Sequence, residues 1–274
     1  MKIFYGLRQR STTFLNELNW RELPWASCPT QKAPLDQLVD ILLEIPDLFA
    51  QFDVLEAAIC TQEILPKTLE TILEGLRMDS CLADWFINFE ATVAGPMYYP
   101  GLSKISSTAD SPEFGKVFSV AFNFPAFGVA QTLVFYWIAL IIVHGHMCIM
   151  YEKLASFVAL LDTVNEDVSC TCGDDSNDSA AAMTCLRHFT MDLLPPLGHR
   201  MEWFGTPARN ICQSVEYFLQ DQMRGEGPLT MLPALAVVKG CWGIAPGDWG
   251  RETLWIDDMV GKIQGKGNEI AGYI

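Results

Sequence analysis

Leu133-Val-Phe-Tyr-Trp-Ile-Ala-Leu-Ile-Ile-Val143 is an unbroken apolar run, and the uncharged tract around it is longer still: Val117 to Tyr151 holds no Asp, Glu, Lys or Arg. Two structures accommodate such a tract. One is a membrane span, which needs roughly twenty predominantly apolar residues. The other is a helix buried on all sides. Gln131 and Thr132 precede the run and His144-Gly145-His146 follow it, so its uninterrupted core is shorter than a span prefers. No flanking pair of Lys/Arg clusters sets a topology. The expectation is a helix buried by other helices in water, with no membrane involvement.

Upstream, residues 62–92 carry the clearest amphipathic pattern. Leu65, Leu69, Ile72, Leu73 and Leu76 form one stripe, with Glu63, Lys67, Glu70 and Glu74 opposite. Leu82, Trp85, Phe86 and Phe89 continue it until Gly95-Pro96 and Tyr99-Pro100-Gly101 break it, and a Ser-, Pro- and Gly-rich loop runs to about residue 116. Earlier still, Leu35, Leu38, Val39, Leu42 and Leu43 recur at helical spacing, and Pro46 closes that helix or starts the next. Residues 20–34, with Trp20, Pro24, Trp25, Pro29 and Pro34, read as an irregular lead-in.

Downstream, Asp162, Glu166, Asp167, Asp174, Asp175 and Asp178 mix with Ser, Asn and Gly. Such a composition buries too little apolar surface to offset its ordering entropy. Leu186, Phe189, Leu193 and Leu194 then lead into Pro195-Pro196. Thr206-Pro207 is a helix start, with Ile211, Val215, Phe218 and Leu219 on one face. Gly225 and Gly227-Pro228 stop that helix, and Leu229 to Val238 form a short apolar one. Asp248 caps a last helix with Trp249, Ile256, Val260 and Ile263 buried. No strand alternation is long enough to imply a sheet. The expected fold is all-α, a multi-helix array around a long buried central helix with one acidic disordered loop. Its parts are a lead-in at 1–34, a helical first half at 35–161, the acidic mobile loop at 162–182 and a helical second half at 183–274.

Among 274 residues half are apolar, enough for a large core without disulfides or metals, and only 19% are charged. A net charge of -15 disfavours direct nucleic-acid contact, because phosphate binding runs on Lys and Arg. Nine scattered cysteines describe no disulfide framework, and Arg8 and Arg10 interrupt any secretory signal, so a reducing compartment, nucleus or cytoplasm, is expected.

Motifs that would carry chemistry are thin. His144 and Cys148 share a helical face while His146 points elsewhere, too few ligands for the four of a structural zinc site. Cys170-Thr-Cys172 has one intervening residue where zinc sites favour two to four. Gly-x-Ser-x-Gly, Ser-x-x-Lys and Gly-Lys-Ser/Thr are all missing. Cys212 sits among core positions of its helix, in an acidic chain with four His. No catalytic residue, cofactor or metal is therefore assigned, and the chain reads as no enzyme. Tyr98, Tyr99, Phe127 and Tyr136, beside the uncharged helix, are the candidate lining of a pocket for a small apolar ligand.

Ala208-Arg-Asn-Ile-Cys-Gln-Ser-Val-Glu-Tyr-Phe-Leu219, then Gly225-Glu-Gly-Pro228, then Leu232-Pro-Ala-Leu-Ala236 follow one another in an order similar to the terminal block of the fungal-specific transcription factor domain, the C-terminal helical region of fungal zinc-cluster transcription factors. Leu38-Val-Asp-Ile-Leu-Leu-Glu-Ile-Pro-Asp-Leu48 resembles that family's early helix, and Phe135-Tyr-Trp-Ile-Ala-Leu140 its central apolar one. The resemblance runs over most of residues 20–270 and rests on helical packing signatures. The family's DNA-reading part, a six-cysteine two-zinc cluster followed by basic residues, has no counterpart here: residues 1–34 hold only Cys28. The resemblance implies transcription regulation through protein–protein contacts, by self-association or with a zinc-cluster factor that supplies DNA binding. The alternative expectation is a helical small-molecule sensor with no transcriptional role.

Overall fold

The structure, a computed structural model, describes residues 6, 10–11, 14–28, 31–57, 64–164, 191, 194–197, 205–223 and 225–266. Those residues form a predominantly helical, all-α multi-helix array. The helices are α1 (Pro34–Leu42), α2 (Ile45–Ala57), α3 (Leu65–Thr92), α4 (Phe127–Val164), α5 (Thr206–Phe218), α6 (Glu226–Ile244) and α7 (Gly250–Lys266). A two-stranded antiparallel sheet, β1 (Tyr99–Leu102) and β2 (Val120–Asn123), lies between α3 and α4 in sequence, with Tyr99 opposite Asn123 and Leu102 opposite Val120. The acidic loop beyond Val164, the apolar positions Leu186, Phe189 and Leu193, and Cys60, Cys170, Cys172 and Cys185 lie outside the described residues.

The chain divides into two compact units that interleave in sequence. One draws on residues 1–29, 40–81 and 143–201, the other on 30–39, 82–142 and 202–274.

In the first unit α2 buries Ile45, Leu48, Phe49, Phe52 and Leu55. Pro46 sits in its first turn, where a missing N–H costs nothing. At its other end Lys153 Nζ, 2.5 Å from each, donates to the carbonyls of Leu55 and Glu56, satisfying C-terminal acceptors that have no helical partner. Arg21 and Arg77 both bind Glu44, at 3.0 and 2.9 Å, and Arg77 also takes Glu74 at 2.7 Å. The early part of α3 packs closely on α4. A Cβ built on Gly75 would lie 2.2 Å from the sulfur of Met147. That neighbour is a flexible thioether. Gly75→Ala is therefore expected to change stability by less than about 1 kcal/mol, repacking of Met147 offsetting the gain in helix propensity. The midpoint of urea unfolding measures this.

In the second unit α5 packs on β2 and on α6, and α6 on α7. Trp85 of α3 donates from its indole to the carbonyl of Pro34 at 3.0 Å, which fastens α1. The core is aromatic: Phe118 packs edge-on against Trp255, and Phe124 against Tyr217.

The uncharged tract is helical from Phe127, and α4 continues through Val164, so the first three positions of the expected acidic loop are helix instead. From Ala130 to Tyr151 every residue is buried or half-buried. By length and composition alone, 127–159 and α6 could each cross a membrane; about 61% and 56% of their most apolar windows are buried.

Four further expectations need correction. Leu73 is exposed and Leu76 only half-buried, so the buried stripe of α3 instead takes in Thr68, Thr71, Met78 and Asp79. The loop after α3 contains a hairpin. Gly225-Glu-Gly-Pro228 opens α6, whose N-cap is Gly225, and α6 runs on to Ile244 with Pro233 inside it. In α7 the buried face is Trp255, Ile256, Met259 and Ile263, while Trp249 and Val260 are half-buried.

Candidate functional site

The most elaborate polar construction among the described residues surrounds the loop joining β1 to β2. Glu216 points from α5 and accepts four hydrogen bonds from that loop. Its Oε2 takes the Ser103 hydroxyl at 3.0 Å and the amides of Lys104 and Ile105 at 2.9 and 3.3 Å; Oε1 takes the Lys104 amide again at 3.1 Å. Consecutive backbone amides closing on one carboxylate fix the loop's direction as it leaves β1.

Side chains from α7 hold the far part of the loop. Asp258 accepts from the Thr108 amide at 3.3 Å and from Lys262 at 2.8 Å, while Lys262 also reaches the Ser106 carbonyl at 2.5 Å. Burial acts to raise the pKa of Asp258, but hydrogen bonds from Lys262, Ser107 and Thr108 outweigh it and hold the carboxyl below its ordinary range. Arg251 donates to the Gly115 carbonyl at 3.0 Å and lies over the Phe114 ring. Within the loop Asp110 accepts the amides of Ser107 and Val117, and Lys116 donates to the carbonyls of Ser103 and Ile105. The loop is thus a shaped, fixed surface. Its apolar side chains Leu102 and Phe114 stand exposed at 84% and 67%.

Glu216→Ala is expected to cost about 2 kcal/mol, one carboxylate's set of charge-assisted hydrogen bonds discounted for its half-exposure. Amides 104 and 105 should exchange faster in that variant than in the native chain, by hydrogen-exchange mass spectrometry.

The sequence-derived candidates are distributed as follows. Tyr136 is buried, stacked on Phe86 at 4.8 Å and beside Trp85. Tyr98 stacks on Phe122 at 4.3 Å, and Phe127 meets Phe218 edge-on at 5.8 Å. Tyr99 stands on β1, 48% exposed. Three of the four rings are therefore occupied by other core aromatics. A cavity of about 10 Å³, room for roughly one water, is lined by Leu55, Ile64, Thr68, Met150, Lys153 and Leu154, and by none of the four.

His144 and His146 diverge. His144 is buried with Nε2 2.8 Å from Oδ1 of Asp79, whereas His146 stacks on Phe49 at 4.1 Å. Among the described residues no group of three or more His, Cys, Asp and Glu is placed to hold a metal. Burial pushes the Cys212 thiol well above its ordinary pKa, with Glu252 and Cys241 adding to the effect, and pushes Cys241 up to about 12. Both are protonated small hydrophobes at neutral pH. Sequence reading missed Glu216 as an anchor: its partners are backbone amides more than a hundred positions away, which no side-chain motif announces.

No family model, no curated protein and no solved structure matches the chain.

Proposed function

We propose that the chain is a transcription-regulator-like helical domain that works through protein–protein contacts in nucleus or cytoplasm, with DNA reading supplied by a zinc-cluster partner. One observation carries this reading: the residues behind the sequence resemblance do architectural work. Within Ile211-Cys-Gln-Ser-Val-Glu-Tyr-Phe218, Ile211, Cys212, Val215 and Phe218 are buried and Glu216 fastens the loop. In Gly225-Glu-Gly-Pro228, Gly227 is where α6 closes on the end of α5. A signature spent on holding helices and a loop in fixed relation suits a domain whose product is a surface. The net charge of -15 argues for protein partners over nucleic acid.

The test is tethering. The chain is fused to a heterologous DNA-binding module upstream of a reporter in yeast, and screened pairwise against fungal zinc-cluster proteins. A change in reporter output relative to the module alone is expected, together with pairing to at least one such protein. An unchanged reporter together with no pairing would overturn the reading.

A further inference from the structure

The clamped loop carries Ser111 directly before Pro112, at the base of a tight turn. Ser111 and Gly115 exchange backbone hydrogen bonds, amide to carbonyl, at 3.1 and 2.7 Å, and residues 112–116 between and beyond them are all exposed. The Ser111 hydroxyl oxygen accepts from the Glu113 amide at 3.2 Å. Its own proton has no acceptor among the described residues. The residue before a proline favours extended backbone, and Ser111 is held so by its bridge to Gly115.

Arg251 reaches this turn from α7. Its Nη2 donates to the same Gly115 carbonyl that accepts the Ser111 amide, and more weakly to the Ala109 carbonyl at 3.4 Å. Two donors meeting on one oxygen bring the guanidinium within a side chain's length of Ser111. Nε and Nη1 of Arg251 have no hydrogen-bond partner among the described residues, so a donor on each edge of the guanidinium is available. The neighbouring charges are mixed. Asp110 and Glu113 flank Ser111 and repel an added anion, although both Asp110 oxygens are already engaged by backbone amides. Lys116 adds positive charge on the same turn.

We infer that Ser111 is a phosphoacceptor for a proline-directed serine/threonine kinase, and that Arg251 binds the resulting phosphate and tightens the turn. The Ser111 oxygen attacks the terminal phosphorus of a nucleoside triphosphate. The new O–P bond forms as the bond to the bridging oxygen breaks, the hydroxyl proton passes to the kinase's base, and the nucleoside diphosphate leaves. Phosphoserine brings a charge of about -1.5 to -2 and three acceptor oxygens, to which a free guanidinium N–H donates a charge-assisted hydrogen bond. The inference does not depend on the transcriptional reading.

The whole chain, incubated with a purified proline-directed kinase, ATP and magnesium, is mapped by peptide mass spectrometry and then by hydrogen exchange. Phosphate is expected on Ser111, and is lost in Ser111→Ala and in Pro112→Ala. Exchange at amides 113–115 should slow about tenfold on phosphorylation, the factor that one charge-assisted hydrogen bond supplies. Arg251→Gln should remove that slowing. Arg251→Lys, which keeps the charge and loses the planar set of N–H donors, should retain only part of it and covers the case in which the glutamine variant does not fold. A folded chain left unmodified at Ser111 overturns the acceptor assignment. Slowing that is equal in the native and both Arg251 variants overturns the role of Arg251.

Discussion

Gly227→Ala is expected to destabilise the protein by about 3 kcal/mol, at the upper end of the range for forcing atoms into a filled core. A Cβ at this position would lie 2.1 Å from the Phe218 carbonyl oxygen and 2.9 Å from Met223 Cβ. The nearest obstacle is backbone, the end of α5, which cannot rotate away as a side chain does. Relief requires α6 to separate from α5, and the cost then includes contacts along both helices, which bury Val215, Phe218, Met231 and Leu235. Urea unfolding should show a lower midpoint for Gly227→Ala with a nearly unchanged slope. The comparison with Gly75→Ala is built into the same chain. Both sites are tighter than real Cβ contacts allow, yet one faces a thioether and the other a carbonyl. Equal effects of the two substitutions would contradict this account.

His144→Leu is expected to cost about 3 kcal/mol, the upper part of the range when a buried polar group loses a hydrogen-bond partner. The side chains of His144 and Asp79 are 2% and 6% exposed. Nδ1 of His144 is buried with no hydrogen-bond partner among the described residues, so a proton there would have no acceptor among them. The geometry assigns the proton to Nε2, where it is given to Asp79. Leucine in place of the ring leaves the carboxylate buried without that donor. Asp79→Leu combined with His144→Leu removes the acceptor together with its donor, so the double variant should be more stable than His144→Leu alone. A thermodynamic cycle over the two single variants and the double variant measures the coupling. Additive effects would mean that the two side chains do not depend on one another.

Much of the helical content was legible because it rests on local periodicity. The buried face of α5 follows from Ile211, Val215 and Phe218 at i, i+4 and i+7. The uncharged tract announced α4, since such a sequence is compatible with burial on every side and with little else in water. What escaped was decided by partners distant in sequence. The hairpin has four-residue strands, and β1 holds Pro100 and Gly101 with no alternation of burial; its loop is fixed by Glu216 and Asp258 from later helices. Leu73 belongs to the helical repeat by spacing, yet α3 turns Thr68, Thr71 and Asp79 inward, because Thr68 and Thr71 hydroxyls bond carbonyls four residues back and Asp79 has His144. Glycine and proline at 225–228 read as a stop from one side and are a start from the other, an ambiguity that only the neighbouring helix resolves. The four candidate pocket rings were chosen by composition. Three of the four, Tyr98, Phe127 and Tyr136, pack against other aromatic side chains.

The interleaving of the two units sets the order of events on the ribosome. Neither can be completed from the first half of the message: the first unit draws on residues up to 201, and the parts of α3 and α4 in the second must wait, partly unsatisfied, until α5, α6 and α7 have been translated. Nascent chains should therefore be clients of holding chaperones late into synthesis. Expression of residues 1–164 alone should yield aggregate, and co-expression of the missing portion should rescue solubility.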